Sequence, residues 1–513
     1  MTRDRHASPA PDGRDELATT RRGLLGLAAG GALAAAGLAR GAPAFAQATA
    51  AGRLGSIPVT AGTLTAEQAA FFAAEEPFFQ NFARQFTLDP NVVYFMAGQK
   101  GSQPAPVLQR YKEGLDQVAR DPFPVYVEQS AATRAKIARG YGASVDEIAI
   151  SRNTTDALSQ ILMGIDWQRG DEILVSPMEH PAGVAPVLRL AARFGVTIRQ
   201  WGVPVHRAAT ADEVVEAVRR RIRPGATKVV FFSSPLWPNG QRMPERRIAA
   251  LAQEAGAITV VDGAHYGGMI EPKLDESGID FWAISGHKWQ CGPGGTGILY
   301  ARNKLLPANG RPLPRFHIVR SATIAIPHDG SRPDGFDIGA ALSSYGFPES
   351  GDWRALGDVC AIWDEVGRAR IQAWTHNLAD YLRGRIAAAF GEDALLQPIA
   401  DPALKSGIVC FNPFPSEAQR RDNNLNTQFR DRLLRDYGFR ISGSGLGAGA
   451  FTRAPDPEAA SFPAGMVPNR NPDTLAPAPF GHPQRVNACV WNTRAHMDQF
   501  IAAAQDLVRK MIA

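Results

Sequence analysis

The sequence is poor in cysteine, in concentrated charge and in long apolar segments. Four cysteines, Cys291, Cys360, Cys410 and Cys489, are scattered over 513 residues, which is too few for a disulfide framework or a zinc cluster. The net charge of +5 is spread along the chain, so nothing indicates nucleic-acid binding, and no metal site is expected. With 45% hydrophobic and 20% charged residues, the composition predicts a large soluble α/β-type protein and excludes collagen-like, disordered, coiled-coil and polytopic membrane classes.

The first 46 residues carry the parts of a bacterial export signal in the expected order. Arg21 and Arg22 precede an uncharged run rich in Ala and Gly at 24–39, which is shorter than the roughly 20 residues that a membrane-spanning helix needs. An A-x-A cleavage sequence follows at 44–46. Because this arrangement resembles a twin-arginine signal, we expect export of residues 47–513 by the twin-arginine translocation machinery, a periplasmic mature protein and no stable membrane span. The alternative is a basic, Ala-rich disordered tail.

Short apolar runs alternate with helix-like segments over most of the chain. The pattern predicts strands at 148–151, 173–176, 196–203, 228–233, 258–262 and 281–285. It predicts helices at 154–164, 183–194, 211–222 and 244–255. Such alternation indicates a mostly parallel sheet covered on both faces, with ligands beyond the carboxyl ends of the strands.

The remaining segments suggest how the chain divides. We expect an N-terminal arm at 47–90, a large domain at 91–306, a loop-rich connection at 307–348 and a smaller C-terminal α/β domain at 349–513. The arm carries a helical segment near 69–86, and one or two long helices cover 353–390. The insertion at 443–484 is rich in Pro and Gly and far longer than a typical connection, so it is either a lid or a disordered loop.

Three residues near predicted strand ends have the chemistry of a cofactor site. Lys288 follows the strand at 281–285, where burial lowers the pKa of an amine and frees it to form a Schiff base with a carbonyl. Asp262 ends the neighbouring strand, and its carboxylate can pair with the protonated ring nitrogen of pyridoxal phosphate (PLP). His180 lies past the strand at 173–176 and can stack on a flat cofactor. Each residue alone is ordinary, but together they predict a PLP site.

Candidate phosphate ligands lie nearby. Thr154 and Thr155 open the helix at 154–164, whose N-terminus offers free N–H groups and hydroxyls to a phosphate. Ser285 and His287, just before the lysine, can add further donors. The alternative for the helix start is an ordinary N-cap.

These motifs, in this order, resemble the class V aminotransferase family of fold type I PLP enzymes, and most of all its isopenicillin N epimerase-like branch. The segments that carry the resemblance are 152–157, 179–180, 261–265, 285–300 and 485–493. The resemblance implies a PLP-dependent transferase fold, in which a large domain with a mostly parallel sheet is joined to a smaller C-terminal α/β domain. It also implies a homodimer with shared active sites.

The family's site residues carry over position by position. Lys288 would hold the cofactor as an internal aldimine and shuttle the substrate α-proton, Asp262 would bind the ring nitrogen, and His180 would stack on the ring. The phosphate would be held by Thr154, Thr155, Ser285 and His287. His265 would line the phenolic side of the ring, where relatives often have Gln, and Arg485 would bind the substrate carboxylate with its bidentate fork.

Three positions depart from the family pattern. In the loop at 234–240 the usual Asn is absent, and Asn239 is the only candidate to replace its contact with the cofactor oxygen. The Thr that reaches the phosphate of the neighbouring subunit is also missing, so Ser350 or Asp352 would have to take its place. Met96 stands where an Asn is common, which indicates a different substrate selection.

The expected function is that of an exported PLP enzyme that acts at the α-carbon of an amino acid or of a peptide-like compound. Transamination, elimination and epimerisation all remain open, because the fold does not fix the reaction. One alternative is an exported protein that keeps the fold but only binds a ligand. A cysteine desulfurase is disfavoured because the loop at 439–445 has no cysteine. The G-x-G-x-x-G sequence at 292–297 precedes a β-like run, so it is not a dinucleotide motif.

Overall fold

The computed structural model describes residues 53–121, 126–304, 312–322, 326–346, 350–397, 400–443, 466–467 and 483–513. The predicted export signal at 1–46 and most of the insertion at 443–484 lie outside this part of the chain. Residues Ala50–Ala513 form one compact unit. The domain boundaries within this unit therefore stay predictions.

The strands are short, and half of the fourteen in the described part of the chain belong to one central sheet. They are β1 (Val93–Tyr94), β2 (Ile148–Ser151), β3 (Glu172–Val175), β4 (Thr197–Gln200), β5 (Val203–Pro204), β6 (Thr227–Ser233), β7 (Ile258–Gly263), β8 (Phe281–Ser285), β9 (Gly297–Ala301), β10 (Ile408–Phe411), β11 (Phe439–Arg440), β12 (Ser442–Gly443), β13 (Met466–Val467) and β14 (Gln484–Asn487).

The helices include the predicted ones and the long pair that follows the connection. They are α1 (Ala66–Ala83), α2 (Ala105–Arg120), α3 (Tyr126–Tyr141), α4 (Thr154–Gly164), α5 (Pro181–Phe194), α6 (Ala211–Arg219), α7 (Glu245–Glu254), α8 (Ile338–Ser343), α9 (Ser350–Val366), α10 (Arg368–Phe390), α11 (Glu417–Arg421), α12 (Asn423–Tyr437) and α13 (Arg494–Ile512). In the described part of the chain, none of them is both long and apolar enough to cross a membrane.

The central sheet has seven strands in the order β2-β9-β8-β7-β6-β3-β4. Strands β4, β3, β6, β7 and β8 are parallel, whereas β9 runs antiparallel to both of its neighbours. This confirms the predicted α/β class with a mostly parallel sheet. The strand β9 begins at Gly297, so the G-x-G-x-x-G sequence leads into a strand and the dinucleotide interpretation is excluded, as predicted.

Both faces of the sheet are covered because the pleat sends alternate side chains to opposite sides. In β6, Val229 and Phe231 join the hydrophobic core under α4 and α5, whereas Val230 and Phe232 join the core under α6 and α7. The continuous apolar run of β6 therefore contributes side chains to both hydrophobic cores.

Several predicted boundaries were wrong, whereas the prediction for one further segment held. The strand predicted at 196–203 is two strands, because the chain turns at the buried Trp201 and β5 pairs with β13 outside the central sheet. The helix predicted from residue 183 already begins at Pro181, whose fixed φ suits a first helical position. The prediction of one or two long helices at 353–390 is confirmed: two helices form, and they are divided at Gly367, whose φ of 93° only glycine adopts without strain.

Two smaller sheets bring distant segments together. Strands β10, β14 and β12 form an antiparallel sheet in which Arg485 of β14 lies opposite Cys410 and Ser442. Strand β1 pairs in parallel with β11, joining Val93 to Phe439. The C-terminal segment that carries Arg485 is thereby held in place by strands on both sides.

Candidate active site

The predicted site residues meet where parallel strands of the central sheet end. Asp262 is the second-to-last residue of β7 and lies beside Ser233, the last residue of β6. Strand β8 pairs with β7 on its other side and ends at Ser285, three residues before Lys288. This edge is where ligands bind in open α/β sheets.

A tight loop between β8 and β9 holds Lys288. The amide of Cys291 donates to the carbonyl oxygen of Lys288 (3.0 Å), and the amide of Gly292 donates to that of Gly286 (2.7 Å). Gly101 packs against this loop, and a Cβ there would lie 2.1 Å from the Lys288 carbonyl oxygen. Only glycine fits at position 101, so the loop and the lysine backbone are fixed.

The environment of Lys288 favours the neutral amine. The pKa of Lys288 is lowered from 10.5 to about 8, mainly by burial and in addition by the positive charge of Arg485. The carboxylate of Asp262 acts in the opposite direction. An amine with this pKa is unprotonated in a substantial fraction of molecules near neutral pH, as a Schiff-base former requires.

Asp262 is buried and directed by its own backbone. Its Oδ1 accepts a hydrogen bond from the amide of Ala264 (2.9 Å). Burial raises the pKa of Asp262, whereas the Ala264 amide and the charge of Lys288 lower it. A further cationic N–H in the site would stabilise the carboxylate in the same way.

His180 serves as the N-cap of α5. Its Nδ1 accepts a hydrogen bond from the amide of Ala182 (3.1 Å), which places the proton of the neutral ring on Nε2. The ring meets Trp237 edge to face, with centroids 5.4 Å apart. Burial, together with the charges of Lys288 and Arg485, lowers the pKa of His180 to about 4, so the ring is neutral.

The candidate phosphate seat lies at the start of α4. Thr154 is buried, and its Oγ1 is 2.7 Å from Oγ of Ser285, although the two residues come from different parts of the sheet edge. Asn153 caps the helix by accepting from the amide of Asp156 (2.9 Å). Thr155 is exposed at the same helix end. Thr154 and Ser285 are thus within hydrogen-bonding distance of each other, whereas Thr155 is exposed to solvent.

The two remaining histidines take different orientations. Nδ1 of His287 lies 3.4 Å from the carbonyl oxygen of Thr296, so the ring contacts the backbone of the loop between β8 and β9. His265 is buried, and its Nδ1 accepts a hydrogen bond from the indole Nε1 of Trp289 (3.2 Å). Burial lowers the pKa of both histidines.

Arg485 is a buried cation with no carboxylate bound to it. Its guanidinium donates to the carbonyl oxygen of Trp237 (2.7 Å) and to Oγ of Ser442 (3.1 Å). No Asp or Glu among the described residues forms an ion pair with it, and burial lowers the pKa of Arg485. A buried guanidinium in this state is suited to an incoming carboxylate.

The departures from the family pattern have clear local outcomes. Asn239 does not replace the missing Asn, because its Oδ1 accepts from the amide of Gln241 (3.0 Å) and its Nδ2 faces the Gln241 side chain. Asp352 lies beside Gly295, and burial raises the pKa of Asp352. The side chain of Ser350 lies outside the described part of the structure.

The residues present fit PLP. Several hydrogen-bond donors gather at the site: the Lys288 amine, the Arg485 guanidinium, the hydroxyls of Thr154 and Ser285, and a buried Trp237 indole N–H that has no acceptor among the described residues. Asp262 is the one carboxylate among the groups that shift the pKa of Lys288. A dianionic phosphate and a carboxylate-bearing substrate would supply the missing negative charge, and the pyridine nitrogen would face Asp262.

Comparison with known proteins decides the family. The sequence profile described as "Aminotransferase class-V" matches residues 125–423, more than half of the chain. The chain belongs to the aminotransferase class-V family. The match covers the sheet edge with Lys288, Asp262 and His180.

Class V relatives of several activities resemble the chain. Isopenicillin N epimerase of Amycolatopsis lactamdurans is 27% identical over 355 residues, which is 64% of this chain and 83% of the relative. Probable cysteine desulfurase 2 of Mycobacterium leprae is 30% identical over 268 residues, which is 49% of this chain and 62% of the relative. These similarities do not separate epimerase from desulfurase.

A solved structure of this fold carries the cofactor. A C-DES variant with glycine covalently linked to its PLP cofactor aligns with a TM-score of 0.62 at 20% identity, over 81% of this chain and 97% of that one. At that identity the likeness shows the fold alone. With the class V profile, it confirms fold type I and PLP as the cofactor, and the protein is a PLP-dependent enzyme.

Reasoning from sequence did not find every residue that shapes this class V site. It did not anticipate the contact of Trp289 with His265, the hydrogen bond of Ser442 to Arg485, or the edge of Trp237 on His180. The only available signal was that Trp289 adjoins Lys288, and that signal says nothing about a partner.

Proposed function

We propose that the protein acts at the α-carbon of an amino acid, or of a compound that contains one, with PLP bound at Lys288. The observation that carries this proposal is that the buried Lys288, in the loop after β8, lies near enough to the Asp262 carboxylate and the Arg485 guanidinium for both charges to act on it, in opposite directions. Arg485 is buried and forms no ion pair with an Asp or Glu among the described residues. Because burying such a charge is costly, a purely structural role for these two cations is disfavoured.

Lys288 holds the cofactor and moves the proton. Bound PLP supplies a carbonyl carbon that condenses with amines and a pyridinium ring that withdraws electrons. The Nζ of Lys288, with a pKa of about 8, would hold the cofactor, and the same amine would accept a proton from the substrate α-carbon and return it.

Asp262 and His180 orient the ring. The Asp262 carboxylate accepts a hydrogen bond from the protonated pyridine nitrogen, with its own position fixed by the Ala264 amide. His180 is held by the Ala182 amide and by the edge of Trp237, so its neutral imidazole offers a fixed flat face. Fixing these groups before binding lowers the cost of ordering them in the reaction.

The cofactor phosphate and the substrate carboxylate would bind to different groups of donors. The hydroxyl oxygens of Thr154 and Ser285 are 2.7 Å apart at the start of α4. Both hydroxyls, with the amides of the helix N-terminus, would donate hydrogen bonds to the phosphate. Thr155 and His287 would be additional donors. Arg485 would bind the substrate carboxylate and thereby orient the bonds at the α-carbon.

Loss of the α-proton is the step that transamination, elimination and epimerisation share, so its exchange with solvent tests the proposal without knowledge of the product. Purified enzyme with PLP is incubated in D₂O with a panel of amino acids and small peptides, and the Cα–H signal is followed by ¹H NMR. We expect exchange with at least one compound, and none with Lys288→Ala. Absence of exchange across the panel, with PLP bound, would favour the ligand-binding alternative.

A desulfurase that uses a cysteine from the loop after β11 is not supported. The described part of that loop, Phe439 to Gly443, has no cysteine, and Cys291, Cys360, Cys410 and Cys489 are all buried. Burial raises the pKa of each thiol, so little thiolate is available to attack a substrate sulfur.

Export and assembly complete the proposal. We propose that residues 1–46 direct twin-arginine export to the periplasm and that the enzyme is a homodimer; the order of Arg21, Arg22, the apolar run and the A-x-A sequence supports the first. Fractionation of cells that express the full chain or its Arg21→Lys/Arg22→Lys variant tests export, since the variant is expected to stay in the cytoplasm. Light scattering of the mature protein tests the dimer, and a monomeric mass would contradict it.

A further inference from the structure

Trp289 directly follows Lys288, and its side chain is committed to another site residue. The indole Nε1 donates a hydrogen bond of 3.2 Å to Nδ1 of His265. Both side chains are buried, Trp289 fully. The contact joins the lysine loop to the residue that stands three positions after Asp262.

This hydrogen bond fixes where the His265 proton lies. An indole N–H only donates, so Nδ1 must be the unprotonated nitrogen and the neutral ring carries its proton on Nε2. The opposite ring orientation would set the Trp289 N–H against a C–H group and lose the bond. Tautomer and orientation are therefore set together.

The charges around His265 keep the ring neutral. The groups that act on it come from three elements and are cationic or neutral: Lys288, His287, His180 and Arg485. With burial, they hold the pKa of His265 well below its usual 6.5. A second proton on Nδ1 would also break the bond from Trp289.

Close packing leaves the ring no other position. A Cβ at Gly98 would lie 3.0 Å from Cε1 of His265 and 3.0 Å from Oδ1 of Asn487, so the ring packs closely against the backbone there. A Cβ at Gly268 would lie 2.3 Å from the Trp289 backbone, so the partner is equally confined. Among the described residues, no group accepts a hydrogen bond from Nε2 of His265.

We propose that Trp289 is a positioning residue that holds His265 as a neutral Nε2–H donor toward the phenolic oxygen of bound PLP. This rests on the proposed function, because it requires PLP at Lys288. Asn239, the other candidate donor, is turned onto Gln241, so that side of the ring depends on His265. A donor there favours the deprotonated oxygen, and its loss raises the pKa at which the visible band of the bound cofactor changes.

Two measurements test the proposal on the purified full-length mature protein. The first is ¹⁵N NMR of histidine-labelled protein before and after addition of PLP, with the His265 signal assigned by its absence in His265→Ala. The second is a pH titration of the visible band. Trp289→Phe removes the N–H but keeps a ring, and Trp282→Phe is the matched control, since its buried indole donates to Ser277 instead.

We expect His265 to show the Nε2–H tautomer in the wild type and in Trp282→Phe, and a mixture of tautomers in Trp289→Phe. The band pKa should shift upward in Trp289→Phe and in His265→Ala, with no further shift in the double variant. A proton on Nδ1 in the wild type would overturn the proposal even if Trp289→Phe failed to fold, and so would unchanged band pKa values. A protein that takes up no PLP would instead overturn the proposed function, while the ring tautomer would still be readable.

Discussion

Arg485 and Trp237 lie 248 positions apart in the sequence, yet the guanidinium of the first donates to the carbonyl oxygen of the second at 2.7 Å. The same tryptophan packs its ring edge to face against His180. One residue of the loop after β6 therefore sets the position of both the candidate carboxylate ligand and the candidate stacking histidine. In the loop where relatives often place an Asn, Trp237 links two parts of the site.

Replacing Arg485 by Lys should weaken substrate binding selectively. The fork that can hold a carboxylate with two parallel bonds is lost while the charge is kept, so we expect kcat/KM for amino acids to fall by about 10- to 150-fold, equivalent to about 1.5–3 kcal/mol. Steady-state kinetics with an amino acid and with the matching amine that lacks the carboxylate measure this. Arg430→Lys is the control, since Arg430 bonds to Gln484 and Thr427 instead. Equal losses for both compounds would contradict carboxylate binding.

The reactivity of Lys288 should rise near pH 8. Because burial lowers the pKa of Lys288 to about 8, the rate at which added PLP is trapped on it by cyanoborohydride should increase through that pH rather than through 10.5. Asp262 raises this pKa, so Asp262→Asn should move the profile to lower pH. Asp352→Asn should leave it unchanged, because the Asp352 carboxylate bonds to Tyr111. A midpoint near 10.5 in the wild type would contradict the buried, desolvated amine.

Glu179 should make the protein less stable as pH rises. It accepts hydrogen bonds from the amide and hydroxyl of Ser233, and burial raises the pKa of Glu179 from 4.5 to about 8. The folded state then binds more protons than the unfolded state between these values, so the stability from this group is full below 4.5 and is lost as pH rises through 8. In thermal melting experiments, the melting temperature of Glu179→Gln should rise relative to that of the wild type as the pH increases across that range. A constant difference would show that Glu179 is ionised throughout.

The four cysteines should not react in the native protein. Cys291, Cys360, Cys410 and Cys489 are buried with raised pKa values, so iodoacetamide at neutral pH should modify none of them, whereas the denatured chain should take up four equivalents. Mass spectrometry counts the adducts. Rapid modification of one native thiol with loss of activity would bring back the desulfurase interpretation.

Sequence periodicity predicts the central sheet well because its strands are buried on both faces. Every residue of β2 and β8 is buried, each strand is apolar up to its final serine, and the bounds of both were predicted without error. The segment at 196–203 was predicted as one strand because apolar residues recur along it, but β4 ends at Gln200, and β5 pairs with β13 instead of joining the central sheet. Apolar composition shows burial but does not show which sheet a strand joins.

The residues of the candidate site could be predicted where their role follows from their residue type and from their position near the end of a strand. Lys288 and Asp262 stand at strand ends, and their surroundings follow from that position. Which donor faces which acceptor depends on side-chain orientation: His265 accepts from Trp289, 24 positions away, and Asn239 accepts from the amide of Gln241. No pattern of residue types carries this information.

The central claim, that Lys288 holds PLP, is tested most directly by the absorbance spectrum of the purified mature protein and of Lys288→Ala, each with added PLP and before and after borohydride. We expect a visible band in the wild type that borohydride abolishes, with a covalent adduct on the peptide that contains Lys288, and no such band in the variant. A colourless wild type, or an adduct on a different lysine, would contradict the account.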